Sequence, residues 1–255
     1  MSRLIPKLSK SSILEGYGLA YRNKIKDLFR SSVIAYWILN ESSGTYAYDT
    51  SGYNFHGLYV GNVSLGQEGI EDNNTSVYFT NSLSCRLDLS NSGVHTLMNF
   101  SEGTLCFWSK PNNASQWTDG VGKYILYIQP SVTNNIFIIK MPASNTIRLS
   151  MQEAGVSRGF VDKVVTPLPE SGWIHIGVTW SAISGIATLY YNGSAVVSTL
   201  TWAGLWSSTS FPTTTFVLGQ QGSSGTGDGF KHTHYMILNR SASPTEMSKI
   251  YNYAI

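Results

Sequence analysis

The sequence predicts an all-β chain: a two-sheet antiparallel sandwich with a short helical arm before it and a helix at its C-terminal end. Three observations predict it. First, residues 172–200 read as three strands in succession. Along Trp173–Trp180, Ile174, Ile176, Val178 and Trp180 share a uniformly apolar face, while Trp173, His175, Gly177 and Thr179 share the other. Ile186–Tyr191 and Ala195–Leu200 follow, joined by Asn192-Gly193, a pair that tolerates the positive φ angles of a type I′ turn. Such a meander has a one-sided core and needs a second sheet to cover it. Second, Gly, Tyr and Trp number 24, 15 and 7 while charged residues make up only 13%, a balance suited to strands and turns. Third, no repeat or low-complexity linker interrupts residues 31–255, so one sandwich plus an N-terminal extension accounts for the length.

The elements follow in order. Ser12-Ile-Leu-Glu15 fits a capping box, although Gly16 and Gly18 weaken a helix there. Tyr21, Ile25, Leu28 and Phe29 fall on one helical face, predicting a short amphipathic helix over Tyr21–Arg30. Strands are expected at 33–39, 58–61, 76–80, 84–89, 103–109, 123–128, 135–140 and 146–151, then in the meander, then at 214–219 and 231–238. The final helix starts at Ser243 as N-cap, with Pro244 at N1 and Glu246 at N3. The division expected is a basic arm over 1–32 and a sandwich over 33–255.

Net charge is +2 but uneven. The first thirty residues hold seven bases (Arg3, Lys7, Lys10, Arg22, Lys24, Lys26 and Arg30) against two acids. That asymmetry suits an arm docking on an acidic partner surface, and equally a solvated helix face. No apolar run is long enough to cross a membrane, and residues 1–30 show no secretory-signal pattern. Cys85 and Cys106 are either core thiols or one bridge; two thiols make no disulfide framework, and CxxC spacing is absent.

With the strands placed, several motifs resemble the laminin-G-like, concanavalin A-like lectin/glucanase sandwiches. These are Tyr36-Trp37, Asn40-Glu41, Gly44, then Asp49, Ser51, Gly52 and Gly57; Phe107-Trp108-Ser109-Lys110-Pro111; Gly172-Trp173-Ile174-His175; Tyr191-Asn192-Gly193; and Leu238-Asn239-Arg240-Ser241-Ala242-Ser243. The resemblance covers about 33–254 and implies a jelly-roll sandwich. It does not specify a ligand. Many relatives hold calcium between the Asp-x-Ser-Gly loop and acidic residues before the closing motif. Here His232-Thr233-His234 stands at the second place. Asp49 is thus the one candidate calcium ligand, and an Asx turn needing no metal is its other reading. No other cofactor is expected.

Enzyme chemistry finds little footing. Glucanases of this superfamily carry Glu-x-Asp-x-(x)-Glu on one strand, and no such run occurs. Glu68-Gly-Ile-Glu71-Asp72 reads as loop acids. His232-x-His234 would place two imidazoles on one strand face, but no third zinc ligand is evident. No Gly-x-Ser-x-Gly elbow is present. A glycan would be held by exposed aromatics, and the candidates in loop contexts are Trp117, Trp202 and Trp206, followed by Tyr53, Asn54 and Phe55. The same tryptophans would alternatively cover the ends of the sandwich or a subunit interface. Nucleic-acid and membrane partners are not expected. The expected protein is a non-catalytic virion surface component of bacteriophage type (a head decoration, head fibre or tail-associated protein), made in the host cytoplasm. It would attach to other virion proteins through residues 1–32 and form homo-oligomers. The alternative is a secreted or cell-surface carbohydrate-binding module or adhesin.

Overall fold

The structure is a computed structural model and describes residues 21–70, 74–142, 144–166, 172–203, 215–221 and 225–254. Residues 21–29 form helix α1. The strands are β1 Val33–Trp37, β2 Tyr46–Ala47, β3 Gly57–Val60, β4 Val63–Glu68, β5 Thr75–Phe79, β6 Arg86–Asp88, β7 Glu102–Pro111, β8 Lys123–Ser131, β9 Asn134–Lys140, β10 Thr146–Glu153, β11 Val156–Val164, β12 Ile174–Ser181, β13 Ile186–Tyr191, β14 Ser194–Thr201, β15 Thr215–Leu218 and β16 Phe230–Leu238. Helix α2, Pro244–Asn252, closes the chain. Two antiparallel sheets result. Sheet A runs β14-β13-β12-β7-β16-β5-β4, with β1 also on β16; sheet B runs β11-β10-β9-β8-β15-β6-β3-β2. The expected sandwich is present.

The inward faces of both sheets form the main core, with Trp37, Phe107, Ile138, Leu149, Ile176 and Tyr235 among its buried members. The Asn192-Gly193 hairpin carries φ values of 48° and 73°, as its sequence requires. At the C-terminal helix, the Ser243 side chain accepts from the Glu246 N–H and Glu246 reaches back, completing the capping box.

Three expectations change. β12 is not one-sided: Ile174 to Trp180 are all buried. Its second face lies under the helices, in a cluster joining Tyr21, Ile25 and Phe29 of α1 and Met247 and Ile250 of α2 to Cys106, Trp108, Tyr190 and Met236 of sheet A. A boundary at residue 32 therefore cuts through packed structure. Tyr21 accepts from Trp108 Nε1 at 3.2 Å and donates to the Ile250 carbonyl at 3.1 Å, bolting α1 to sheet and helix together. Replacing the fully buried Ile25 with Asp is expected to cost roughly 3 kcal/mol or more, because a carboxylate there has no partner. Lys24→Asp, one residue away on the exposed side, is the control; equal urea midpoints for the two variants would refute the docking.

The second change concerns His232 and His234, which do not share a face. A bulge between Thr233 and Met236, with His234 at φ 52°, reverses the alternation. His232 turns inward against Phe79 and Phe107 and meets Asp228 Oδ2 at 2.7 Å. His234 turns outward under α1, against Tyr21 and Tyr36. The bulge sits where the partner of β16 opposite β7 changes from β5 to β1. Among the described residues, no three His, Cys, Asp or Glu converge as metal ligands. Third, β4 and β11 have no counterpart among the expected strands. Both are sheet edges whose residues are almost all half-buried or exposed, so apolar alternation is faint. Cys85 and Cys106 are free, buried thiols in separate clusters.

Candidate functional site

Sheet A is covered on its outer face by the helices. The outward chains of sheet B belong to neither buried cluster. Strand register there aligns one residue from each of the eight strands. Tyr46 pairs with Leu58, Leu58 with Asp88, Asp88 with Val217, and Val217 with Tyr127. Tyr127 then pairs with Phe137, Phe137 with Ser150, and Ser150 with Phe160. Directly opposed residues point to the same side, so these eight make a lane across the whole sheet. Seven inter-strand steps of about 4.8 Å give it a length of roughly 34 Å.

The lane is aromatic along much of its length. Tyr124, Tyr127 and Phe137 cluster at its centre, with ring centroids 5.4 to 6.3 Å apart. Burial raises the pKa of both tyrosines, so their hydroxyls stay neutral. Tyr46 and Leu58 at one end and Phe160 at the other are exposed. Val217 is buried at the floor. On one flank lie Gln129, Asn135 and Gln152, with Asn135 Nδ2 donating to Gln152 Oε1 at 2.7 Å. On the other flank Arg148 donates to both Asp162 oxygens at 2.7 Å and lies 3.7 Å over the Phe160 ring. Arg86 holds Asp88 at 3.0 Å. At the Tyr46 end, His56, Asp88, Asn91 and Ser92 join Tyr46 and Leu58 around an open groove of about 260 Å³.

Two of the loop tryptophans expected to hold a glycan are buried. Trp117 is fully buried and packs edge-on to Phe230; Trp202 is 2% exposed and donates through Nε1 to the Phe100 carbonyl at 3.1 Å. Both plug the ends of the main core, the alternative role for loop tryptophans, and neither can stack on a ligand. Trp206 lies outside the described residues. Tyr53 is about half exposed and stacks on Phe55 at 5.9 Å; Asn54 makes the turn between them with φ 61°. Phe55 is half buried, its carbonyl taken by Trp37 Nε1 at 2.8 Å. Of the expected glycan residues, the structure therefore leaves Tyr53 and Asn54 accessible. Their loop meets the lane through His56. Tyr46, Leu58, Tyr127, Phe137 and Phe160 were not among the sequence candidates. Their signal is an aromatic or large apolar residue on the outward parity of a strand, as in Ile136-Phe137-Ile138.

The Asp49 loop is held together by its own hydrogen bonds. Asp49 is buried, and its Oδ1 accepts from the N–H groups of Tyr36 (2.9 Å) and Ser51 (2.8 Å). Its Oδ2 accepts from the Ser51 hydroxyl (2.7 Å) and the Phe55 N–H (3.0 Å). The loop's carbonyls face an ammonium: Lys26 of α1 donates to Thr50 O at 2.6 Å, with Ser51 O at 3.5 Å. Desolvation lowers the Lys26 pKa, the nearby Arg22 lowers it further, and Asp49 opposes both. Calcium wants several free oxygen ligands. This donor set does not fit it: four donors saturate the carboxylate, and a lysine occupies the carbonyls. The Asx-turn reading holds. Lys26 is therefore a strut of the fold, while Lys24 lies 5.5 Å over the Tyr253 ring and Arg30 is exposed in the turn after α1. Arg22 is partly exposed beside Asn23; Arg3, Lys7 and Lys10 lie outside the described residues.

Fold and open face together define a lectin-type β-sandwich. A family model described as the concanavalin A-like lectin/glucanases superfamily matches residues 86–247. The chain belongs to that superfamily. No curated protein matches it in sequence. Among solved structures, the binding domain of botulinum neurotoxin DC in complex with rat synaptotagmin II is similar, at TM-score 0.61 and 16% identity, covering 88% of this chain and 52% of that one. The botulinum neurotoxin serotype D ligand binding domain in complex with N-acetylneuraminic acid matches at TM-score 0.61 and 14% identity, covering 89% and 52%. The chain spans about half the length of these structures, and at such identities the likeness is one of fold.

Proposed function

We propose that this protein is a non-catalytic glycan-binding module whose binding face is the outer surface of sheet B. The observation that carries the reading is the eight-strand lane, with Tyr127 and Phe137 at its centre and hydroxyl and amide groups beside them. Sugar rings present apolar faces and polar edges, and an aromatic platform flanked by fixed hydrogen-bonding groups complements both. The neurotoxin ligand binding domain of similar fold was solved in complex with a sugar, N-acetylneuraminic acid, which supports the reading. Hydrolysis is disfavoured by distance. Among the described residues, Asp88 in the lane and Asp162 beside it are five strands apart, about 24 Å, where glycosidase pairs need roughly 5–10 Å. A glycan array with the full chain tests the reading. Binding is expected, and Phe137→Ala or Tyr127→Ala should weaken it about tenfold. Undiminished binding in both variants, with folded circular dichroism, would remove the lane from the reading.

The setting proposed is a virion surface, supported by the basic bias of the first thirty residues. Since α1 is packed onto the sandwich, docking falls to the segment before it, with Arg3, Lys7 and Lys10. Particles carrying a chain deleted for residues 1–20 should lose this protein; an unchanged copy number would refute the docking. Display in many copies, as homo-oligomers, would multiply weak individual contacts.

A further inference from the structure

We infer that the edge of β14 is a docking site for a short, extended, acidic peptide segment of another protein, whose carboxylate meets Lys163. Four strands end the two sheets: β14 and β4 in sheet A, β11 and β2 in sheet B. An open edge is a template for pairing, and proteins blunt theirs with charge, proline, bulges or shortness. β2 has two residues. β4 is bulged between Ser64 and Gln67 and ends on Glu68. β11 carries Arg158, Asp162 and Lys163. β14 reads Ser-Ala-Val-Val-Ser-Thr-Leu-Thr over 194–201, with no charge and no proline, and six of its eight residues are exposed. Its outer edge pairs with no strand among the described residues. The site does not rest on the glycan-binding reading above.

An open groove lies on each side of this edge. One, of about 580 Å³, runs between β14 and the start of α2, past Ile186, Thr188 and Thr199. Its two charged members, Arg240 and Glu246, hold each other at 2.7 Å. The other, of about 360 Å³, lies between β14 and β11 and is lined by Tyr191, Ser194, Val196 and Lys163. A strand added to an edge gains main-chain hydrogen bonds and sends alternate side chains to opposite sides. The first groove takes a neutral side chain. The second suits an acid. Lys163 lies 5.3 Å over the Tyr191 ring and has no ion pair among the described residues, while the neighbouring Asp162 is held by Arg148. The Ser194 and Ser198 hydroxyls beside it have no hydrogen-bond partner among the described residues. The length of the ligand follows from a bulge in β14. Two steps along β13, Thr188 to Tyr190, span four along β14, Thr199 to Ala195, and Val197 between them is fully exposed. A strand cannot add along the whole edge, but a short segment can pair beside Ser194–Val196. The same features argue against a second copy of this chain as the occupant. Two bulged edges match poorly, β14 brings no acid, and a two-fold pairing would turn both Lys163 ammoniums toward one seam.

A displayed library of random heptapeptides, panned on the full chain, tests this. Recovered peptides should carry Asp or Glu between β-branched residues, and their end-blocked synthetic forms should bind with an affinity that falls as salt rises. Lys163→Gln should weaken that binding about tenfold. Ser194→Glu, which places a competing carboxylate in the same groove, should abolish it. Lys163→Glu should invert the selection toward Lys and Arg. Far-UV circular dichroism shows that each of these surface variants is folded. Recovery of no acidic consensus, or acidic peptides that bind Lys163→Glu as well as the parent, would overturn the site. A concentration-dependent dimer in analytical ultracentrifugation, broken by Val197→Asp, would give the edge to a second copy and overturn the peptide.

Discussion

Lowering the pH from 7 to about 4.5 is expected to remove roughly 5 kcal/mol of folding stability, most of it through His175 and His234. Both rings are fully buried, and burial pushes each down to about 3. The unfolded chain therefore binds two protons below about pH 6.5 that the folded chain refuses, and stability falls as pH falls. Each histidine contributes about 1.4 kcal/mol per pH unit across the window from about 6.5 to about 3. His175 lies between Trp108 and Tyr251 with neither ring nitrogen bonded. His234 is satisfied only when neutral: Asn74 donates to Nε2 at 3.1 Å while Nδ1 meets the Tyr36 hydroxyl at 2.7 Å. Protonating Nε2 would set two donors against each other. Asp228 works in the opposite sense, since burial raises its pKa, and offsets part of the slope. Against a total stability of about 5–15 kcal/mol the net effect is large. Urea denaturation from pH 7 to 4 should show the decline. His175→Phe should be neutral or stabilising at pH 7 and should flatten the slope by about half; an unaltered slope would acquit His175.

Replacing Asp49 by Ala should cost about 3–5 kcal/mol, while adding calcium or EDTA should leave the melting temperature unchanged. The carboxylate answers four donors, three of them backbone N–H groups, and truncation strands those donors in a largely buried loop. Asp49→Asn, retaining one oxygen acceptor, should fall between. Lys26→Met should cost less, about 1 kcal/mol, since the carbonyls of Thr50 and Ser51 can turn to water. Thermal melts decide both points. A rise in melting temperature with calcium would require an ion that binds the folded chain only, and would contradict the saturated carboxylate.

Much of the scaffold was legible in the chain. The Asn192-Gly193 hairpin, the Ser243 capping box and the Tyr21-Ile25-Phe29 stripe act locally, through turn stereochemistry and helical periodicity, and the structure has them as expected. The functional surface was less so. Trp117 and Trp202 stand in Gly- and Ser-rich contexts that resemble exposed loops, yet they seal the core ends. Loop composition reports chain mobility and turn chemistry, not which way a side chain faces. β11 escaped because an edge strand such as Val156–Val164 carries charge and glycine where a central strand carries alternating apolar residues. With it went Phe160 and Asp162, at one end of the lane.

The sequence by itself determined the sandwich class, its hairpins and its terminal helices, because each rests on residues near one another along the chain; at Asp49 it left a calcium ligand and an Asx turn both open. Only the tertiary structure decided that both faces of β12 are buried, that His232 and His234 part company at a bulge, and that Lys26 stands on the Asp49 loop. It alone decided, too, that Tyr46, Leu58, Asp88, Val217, Tyr127, Phe137, Ser150 and Phe160 form one line. Those eight come from eight strands spread between residues 46 and 217, and nothing local encodes their register. Strand pairing sets it, and strand pairing is the outcome of the whole core packing at once.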